Sequence, residues 1–189
     1  MNWMTIIRAA LVGALAAAAL ACGGGGEGGG GVVYAVACSG PIAPAADRIT
    51  LGCPAQATDS ITVSVHLGGP TSSSDIFGLQ FDLVFDPAVM QFEPPALEGS
   101  FLNRDGAATI MQVGAMQNDP GRLIVGIVRQ GVPGGLQATA GDEVVITLLF
   151  GRLSAGSTTL RFENAAAVDS SLQPIPQITF GTPLTITFD

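Results

Sequence analysis

The chain's strongest constraint is an alternation of apolar and other residues with period two, which begins at Ile61 and recurs to the C-terminus. Ile61, Val63, Val65 and Leu67 are separated by Thr62, Ser64 and His66. Phe77, Leu79, Phe81, Leu83 and Phe85 alternate with Gly78, Gln80, Asp82 and Val84 before an Asp86-Pro87 stop. Successive side chains of a strand point to opposite faces, so each series makes one buried face, whereas a helix would scatter it around its surface.

Further strands are expected at Ala107 to Met116, Arg122 to Gln130, Glu143 to Arg152, Thr158 to Glu163 and Leu184 to Phe188. Turn residues fill the gaps, as in Asn118-Asp119-Pro120-Gly121 and Gly131-Val132-Pro133-Gly134-Gly135. The run Val144 to Phe150 is apolar on both faces and suits a strand inside a sheet. After Gly31 no stretch carries a sustained helical stripe, and the best helix candidate is a single turn around Pro87 to Met90. Many short strands with turn signals at close spacing predict an all-β, two-sheet β-sandwich. At 189 residues there is room for one such domain and a short appendage.

The appendage reads as an address. Met1 to Arg8 carries positive charge, Ala9 to Ala21 is an apolar run, and Cys22 ends it. The run is shorter than the roughly 20 residues a spanning helix needs. Ala19-Leu20-Ala21-Cys22 resembles a bacterial lipobox, which implies cleavage before Cys22, lipid on its sulfur and an exported protein held at a membrane of the cell envelope. The other reading is a plain signal peptide. Gly23 to Gly31, interrupted only by Glu27, reads as a flexible tether. The expected divisions are therefore 1–21 signal, 22–46 lipidated cysteine and tether, and 47–189 sandwich.

Cys38 and Cys53 are left as a pair, and in an oxidising compartment a pair favours a disulfide. Metal binding is the rival, but the chain's single histidine, His66, does not complete a ligand set with them. No metal and no cofactor is expected. Removing Arg8 with the signal leaves six arginines and no lysine against fifteen acids, a net charge near −9 (6 − 15). That balance disfavours nucleic acid and leaves the lipid as the only membrane contact.

No catalytic residue is expected. His66 alternates with the apolar series and reads as a surface histidine. The nearest carboxylate pairs, Asp82 with Asp86 and Asp142 with Glu143, read as strand-edge and turn residues rather than a hydrolase pair. The glycine tract lacks the strand, helix and lysine of a phosphate loop.

The segment Ile76-Phe-Gly-Leu-Gln-Phe-Asp-Leu-Val-Phe-Asp-Pro-Ala-Val-Met90 resembles the third strand and following turn of cohesin domains. The likeness continues through a Thr-Val-x-Val strand, Gly-Arg-Leu-Ile-Val-Gly-Ile-Val and Gly141-Asp142-Glu143-Val144, and spans roughly Ile49 to Phe188. It implies a jelly-roll sandwich of about nine strands and a non-catalytic module that binds a dockerin-type protein in polysaccharide-related assemblies. In the family an Asn-x-Asp pair on the third strand contacts dockerin, and Gly78 and Gln80 stand at the matching positions here. With Asp82, Arg129 and Gln130 they are the partner-binding candidates. Direct polysaccharide binding and a structural envelope protein that associates through its own sheet edges are the alternative readings. The mature chain has no tryptophan, and its one tyrosine, Tyr34, lies outside the sandwich.

Overall fold

The computed structural model describes residues 35–40 and 44–189. Cys22, the signal segment, the glycine tract and Tyr34 lie outside the described residues. The described residues contain eleven strands and no helix: β1 (Val36–Ser39), β2 (Arg48–Gln56), β3 (Ser60–Leu67), β4 (Gly78–Val84), β5 (Met90–Glu98), β6 (Ala108–Met116), β7 (Asp119–Gln130), β8 (Glu143–Arg152), β9 (Gly156–Val168), β10 (Thr179–Phe180) and β11 (Leu184–Phe188).

They form a six-stranded sheet, in the order β1-β11-β9-β4-β7-β6, and a five-stranded sheet, β10-β2-β3-β8-β5. The chain passes back and forth between the two, as in a jelly roll. All pairings are antiparallel except β10 with β2. The count exceeds the expected nine or so because β1 and the two-residue β10 are added.

The period-two series supply the core. Ile61, Val63, Val65 and Leu67 of β3 face Leu79, Phe81 and Leu83 of β4 and Leu123, Val125 and Ile127 of β7 across the layer, all but fully buried. Phe81 meets Phe162 edge-on at 5.2 Å, and Phe85 meets Phe150 at the same separation. Burial of this kind contributes about 1.5 to 3 kcal/mol per side chain. The expected turn at Pro87 to Met90 is one turn closed by Met90 N–H donating to the Asp86 carbonyl at 3.2 Å.

Three expectations need correcting. The sequence puts the tether through residue 46, but Val36–Ser39 is β1, paired with β11 from Val36↔Phe188 to Ser39↔Thr185. Its apolar residues at alternate positions and its covalent link, the disulfide between Cys38 and Cys53 of β2, hold it to the sandwich. His66 is not a surface residue: it is 5% exposed. It lies on the outer face of β3, hemmed by Thr50 of β2 and Val144 of β8, and its Nδ1 is 2.6 Å from the Asp142 carboxylate. Arg129 is the third and belongs with the site.

Candidate protein-binding face

Four strands of the larger sheet, β9-β4-β7-β6, turn one face to the core and the other to solvent. Because the odd-numbered residues of β4 and β7 fill the core, the even-numbered ones form the outer surface. The register aligns them in rows: Val168, Gly78, Val128 and Ile110; then Ala166, Gln80, Gly126 and Gln112; then Glu163, Asp82, Ile124 and Gly114.

Glycines at crossing points lower the floor of this face. A side chain on Gly126 or on Gly114 would meet nothing within 4 Å, so each leaves an open hollow. A depression of about 450 Å³ lies between Gln80, Gln112, Ile110, Val128 and the tip of the β9–β10 loop, and another of about 470 Å³ continues past Gly126 to Ile124 and Met116. The two share Gln80, Gln112 and Gly126 and so make one trough.

Its rim is unusually apolar for a solvated sheet. Ile110 is 44% exposed, Ile124 48%, Met116 40% and Leu172 62%. These residues gather around one trough, unlike singly scattered surface leucines, which need no explanation. Leu172 is held up by the loop: its φ is 60°, a left-handed conformation costly for a leucine. Asp169 fixes that turn, its carboxylate accepting from the N–H groups of Ser171 and Gln173, each at 2.9 Å, and its carbonyl accepting from Leu172 N–H at 2.9 Å.

No family model and no curated protein matches this sequence. Solved structures do. The second type II cohesin module of an adaptor scaffoldin of Acetivibrio cellulolyticus matches with a TM-score of 0.56 at 15% identity, over 72% of this chain and 86% of that one. The fold is that of cohesin modules. A type II cohesin in complex with an X-dockerin from the same organism matches with a TM-score of 0.54 at 16% identity, over 71% and 96% of the two chains. The sixth cohesin of that organism's scaffoldin B, in complex with a dockerin, matches with a TM-score of 0.52 at 17% identity, over 72% and 94%.

On this cohesin fold Gly78, Gln80, Asp82 and Gln130 share the trough face, but their roles differ. Gln80 is exposed at the centre. Gln130 is exposed at the end of β7, paired with Ala108. Gly78 is buried where β4 meets β7, and any side chain there would strike the Ile127 carbonyl at 2.7 Å. Asp82 is engaged: Arg122 donates to it at 2.7 Å and the Asn164 amide at 2.7 Å.

Arg129 leaves the face altogether. It shares parity with Ile127, so it points inward and is 3% exposed. Its guanidinium donates to the carbonyls of Leu102, at 2.5 Å, and Gly134, at 3.1 Å, and forms a two-pronged pair with Asp105 at 2.6 and 3.1 Å. It ties the β5–β6 and β7–β8 connections together at one end of the sandwich.

The other end of the trough is ionic. Arg122 also donates to Glu163, at 2.7 Å, and Asp119, at 3.1 Å, and Arg161 reaches Glu163 at 2.8 Å. Hydrogen bonds from Arg122 and Arg161 hold the Glu163 carboxyl below its usual range, and the carboxylates around Arg122 raise its own pKa. Arg122 and Arg161 face Asp82, Asp119 and Glu163, so the cluster has one surplus negative charge (2 − 3).

The candidates read from the sequence do not include Ile110, Gln112, Ile124, Gly126 or Leu172. A signal for Ile124 and Gly126 is present in β7, where a core parity of Leu123, Val125 and Ile127 leaves an isoleucine and a glycine pointing outward.

Proposed function

We propose that this chain is a non-catalytic binding module that holds a dockerin-type protein on the outer face of β9-β4-β7-β6. The observation that carries the reading is the trough: exposed aliphatic residues around a glycine floor, on a fold whose solved examples include cohesins in complex with dockerins. The titratable groups that chemistry would need have structural tasks. Asp142 meets His66, Glu143 takes Arg104 and the N–H groups of Thr139 and Ala140, and Asp86 accepts from Ala88 N–H. The lipobox-like Cys22 and the glycine tract support display on a bacterial envelope, and the polysaccharide-related setting comes from the family resemblance. Mass analysis of the exported protein for diacylglyceryl on Cys22 tests the anchor.

The test of function is titration of the purified full chain against a panel of dockerin modules, beside its Gly126→Trp form. A side chain at Gly126 fills the trough without meeting protein atoms at its Cβ, so binding to at least one dockerin is expected in the parent and at least tenfold weaker binding in the variant. Binding to no dockerin, with retention on an insoluble polysaccharide, would overturn the reading in favour of carbohydrate recognition.

A further inference from the structure

Among the described residues the two sheets end in four edges, and three are blunted. β1 is four residues long; β10 has two and covers β2 only at Arg48 and Ile49, and beyond them β2 carries Pro54 within an irregularity between Gly52 and Ala55. β5 carries Pro94 and Pro95, the acids Glu93 and Glu98, and an irregularity in its pairing between Glu93 and Leu97. Short strands, prolines, charges and bulges are the devices that keep an edge from pairing with another chain. β6 has none of them along its pairing from Ala108 to Ala115: its nine residues, Ala-Thr-Ile-Met-Gln-Val-Gly-Ala-Met, include no charge and no proline.

We infer that β6 is a docking edge for a second copy of this chain, paired antiparallel about a two-fold axis at Gln112. The hydrogen-bond phase dictates this register. Arg129 N–H donates to the Phe77 carbonyl and Phe85 N–H to the Gly121 carbonyl, so odd-numbered β7 residues bond β4 and even-numbered ones bond β6. Through the pairs Ile110↔Val128, Gln112↔Gly126 and Gly114↔Ile124, the even-numbered residues of β6 bond β7. The N–H and C=O groups of Thr109, Met111, Val113 and Ala115 therefore point to the free edge.

A two-fold axis at Gln112 sets Met111 against Val113 of the second copy and Thr109 against Ala115, so all of these groups find partners. A shift of the centre to Met111 would leave Ala115 unmatched. The side chains agree with the same register. Outside, Ile110 falls opposite Gly114, where nothing lies within 4 Å of a Cβ, and Ala108 falls opposite Met116. Inside, Met111 and Val113, already packed against the core, continue its apolar layer. Each copy is net negative, yet no charged side chain of β6 faces another across the seam. Pairing through β6 requires nothing of dockerin binding.

The test is sedimentation of the full chain over a wide concentration range, with three variants. The parent is expected to move from monomer to dimer. Val113→Pro removes an N–H that serves only the free edge, and proline is tolerated on an edge strand. It should weaken the dimer at least about tenfold, since symmetry removes the bond twice. Ala115→Pro, at an exposed residue, repeats the test should the valine variant fold poorly. Gln112→Cys, made with Cys22→Ser so that no other unpaired thiol remains, places two thiols in a non-hydrogen-bonded pair about 4.5 Å apart at Cα, within disulfide reach, so oxidation should trap a covalent dimer that the identically treated Cys22→Ser chain does not form. A monomer at every concentration, a dimer indifferent to both prolines, or no trapping through Gln112→Cys would each overturn the inference. Pairing of β6 with another protein's strand, in place of its own copy, would do the same.

Discussion

Replacing Arg129 by alanine separates a contact residue from a structural one. In the fold the side chain is buried and donates to two carbonyls, of Leu102 and Gly134, that no longer have this partner in the variant. A hydrogen bond from a charged group contributes about 1.5 to 3 kcal/mol. Asp105 is 45% exposed at its side chain and returns to water, so the loss centres on the two carbonyls and the vacated space. Relief of the buried cation's desolvation offsets part of it, leaving about 3 kcal/mol, within the range for breaking a buried pair. For a domain of this size that lowers Tm by about 6 to 12 °C. The assay is urea unfolding followed by circular dichroism, comparing midpoints at constant m-value. Arg129→Met, which keeps much of the apolar stem, should recover part of the loss. A cost under about 1 kcal/mol, together with lost partner binding, would refute the burial argument and return Arg129 to the binding face.

Phe81→Ala should cost about 3 to 5 kcal/mol, because a fully buried ring between Phe162 and Phe180 is deleted; urea unfolding reads it, and a cost under about 1 kcal/mol would mean the strand faces are inverted. Asp75 and Asp105 have pKa values below the ordinary 3.8, the first through hydrogen bonds led by Ser170 and the second through Arg129. A depressed folded pKa contributes stability that is present above the unfolded value and lost as pH falls through the folded one, so the urea midpoint should hold above the ordinary value and decline below it, less steeply in Asp75→Asn. Removing the Cys38–Cys53 link by a double serine substitution should cost about 3 kcal/mol for its 15-residue loop, read as a shift in the same midpoint. Gly126→Trp should leave that midpoint nearly unchanged while it weakens partner binding at least about tenfold.

The fold is legible in the sequence where core parity repeats without interruption, as in β3, β4 and β7. It is not legible at β2 and β5, because Pro54, Pro94 and Pro95 read as stops. Each falls at an irregularity in its strand's pairing, between Gly52 and Ala55 or between Glu93 and Leu97, the places where a missing N–H breaks no ladder. Parity also holds the answer for Arg129, since it follows Ile127 by two; its polarity conceals it, and the carbonyls that accept it come from connections remote in sequence. Alternation puts His66 on the correct face, but burial there depends on Thr50, Val144 and Asp142, which only the pairing of β2, β3 and β8 brings beside it. The trough is similar: no segment contains it, because Gln80, Gly126 and Gln112 become neighbours through register alone.

The position of the disulfide also decides how the sandwich would carry mechanical tension. β1 is the outermost strand of its sheet and short, and a pull arriving from its N-terminal side would by itself unzip it from β11, one weak bond after another. Cys38 interrupts that sequence at the third residue of the strand, and its bond leads into β2, in the opposite sheet. Traction is thus diverted from the peripheral ladder into a strand stitched to β3 along most of its length, and both layers share it. Under reducing conditions the same pull would meet only the β1–β11 ladder, so the force at which the strand detaches should report the redox state of its surroundings.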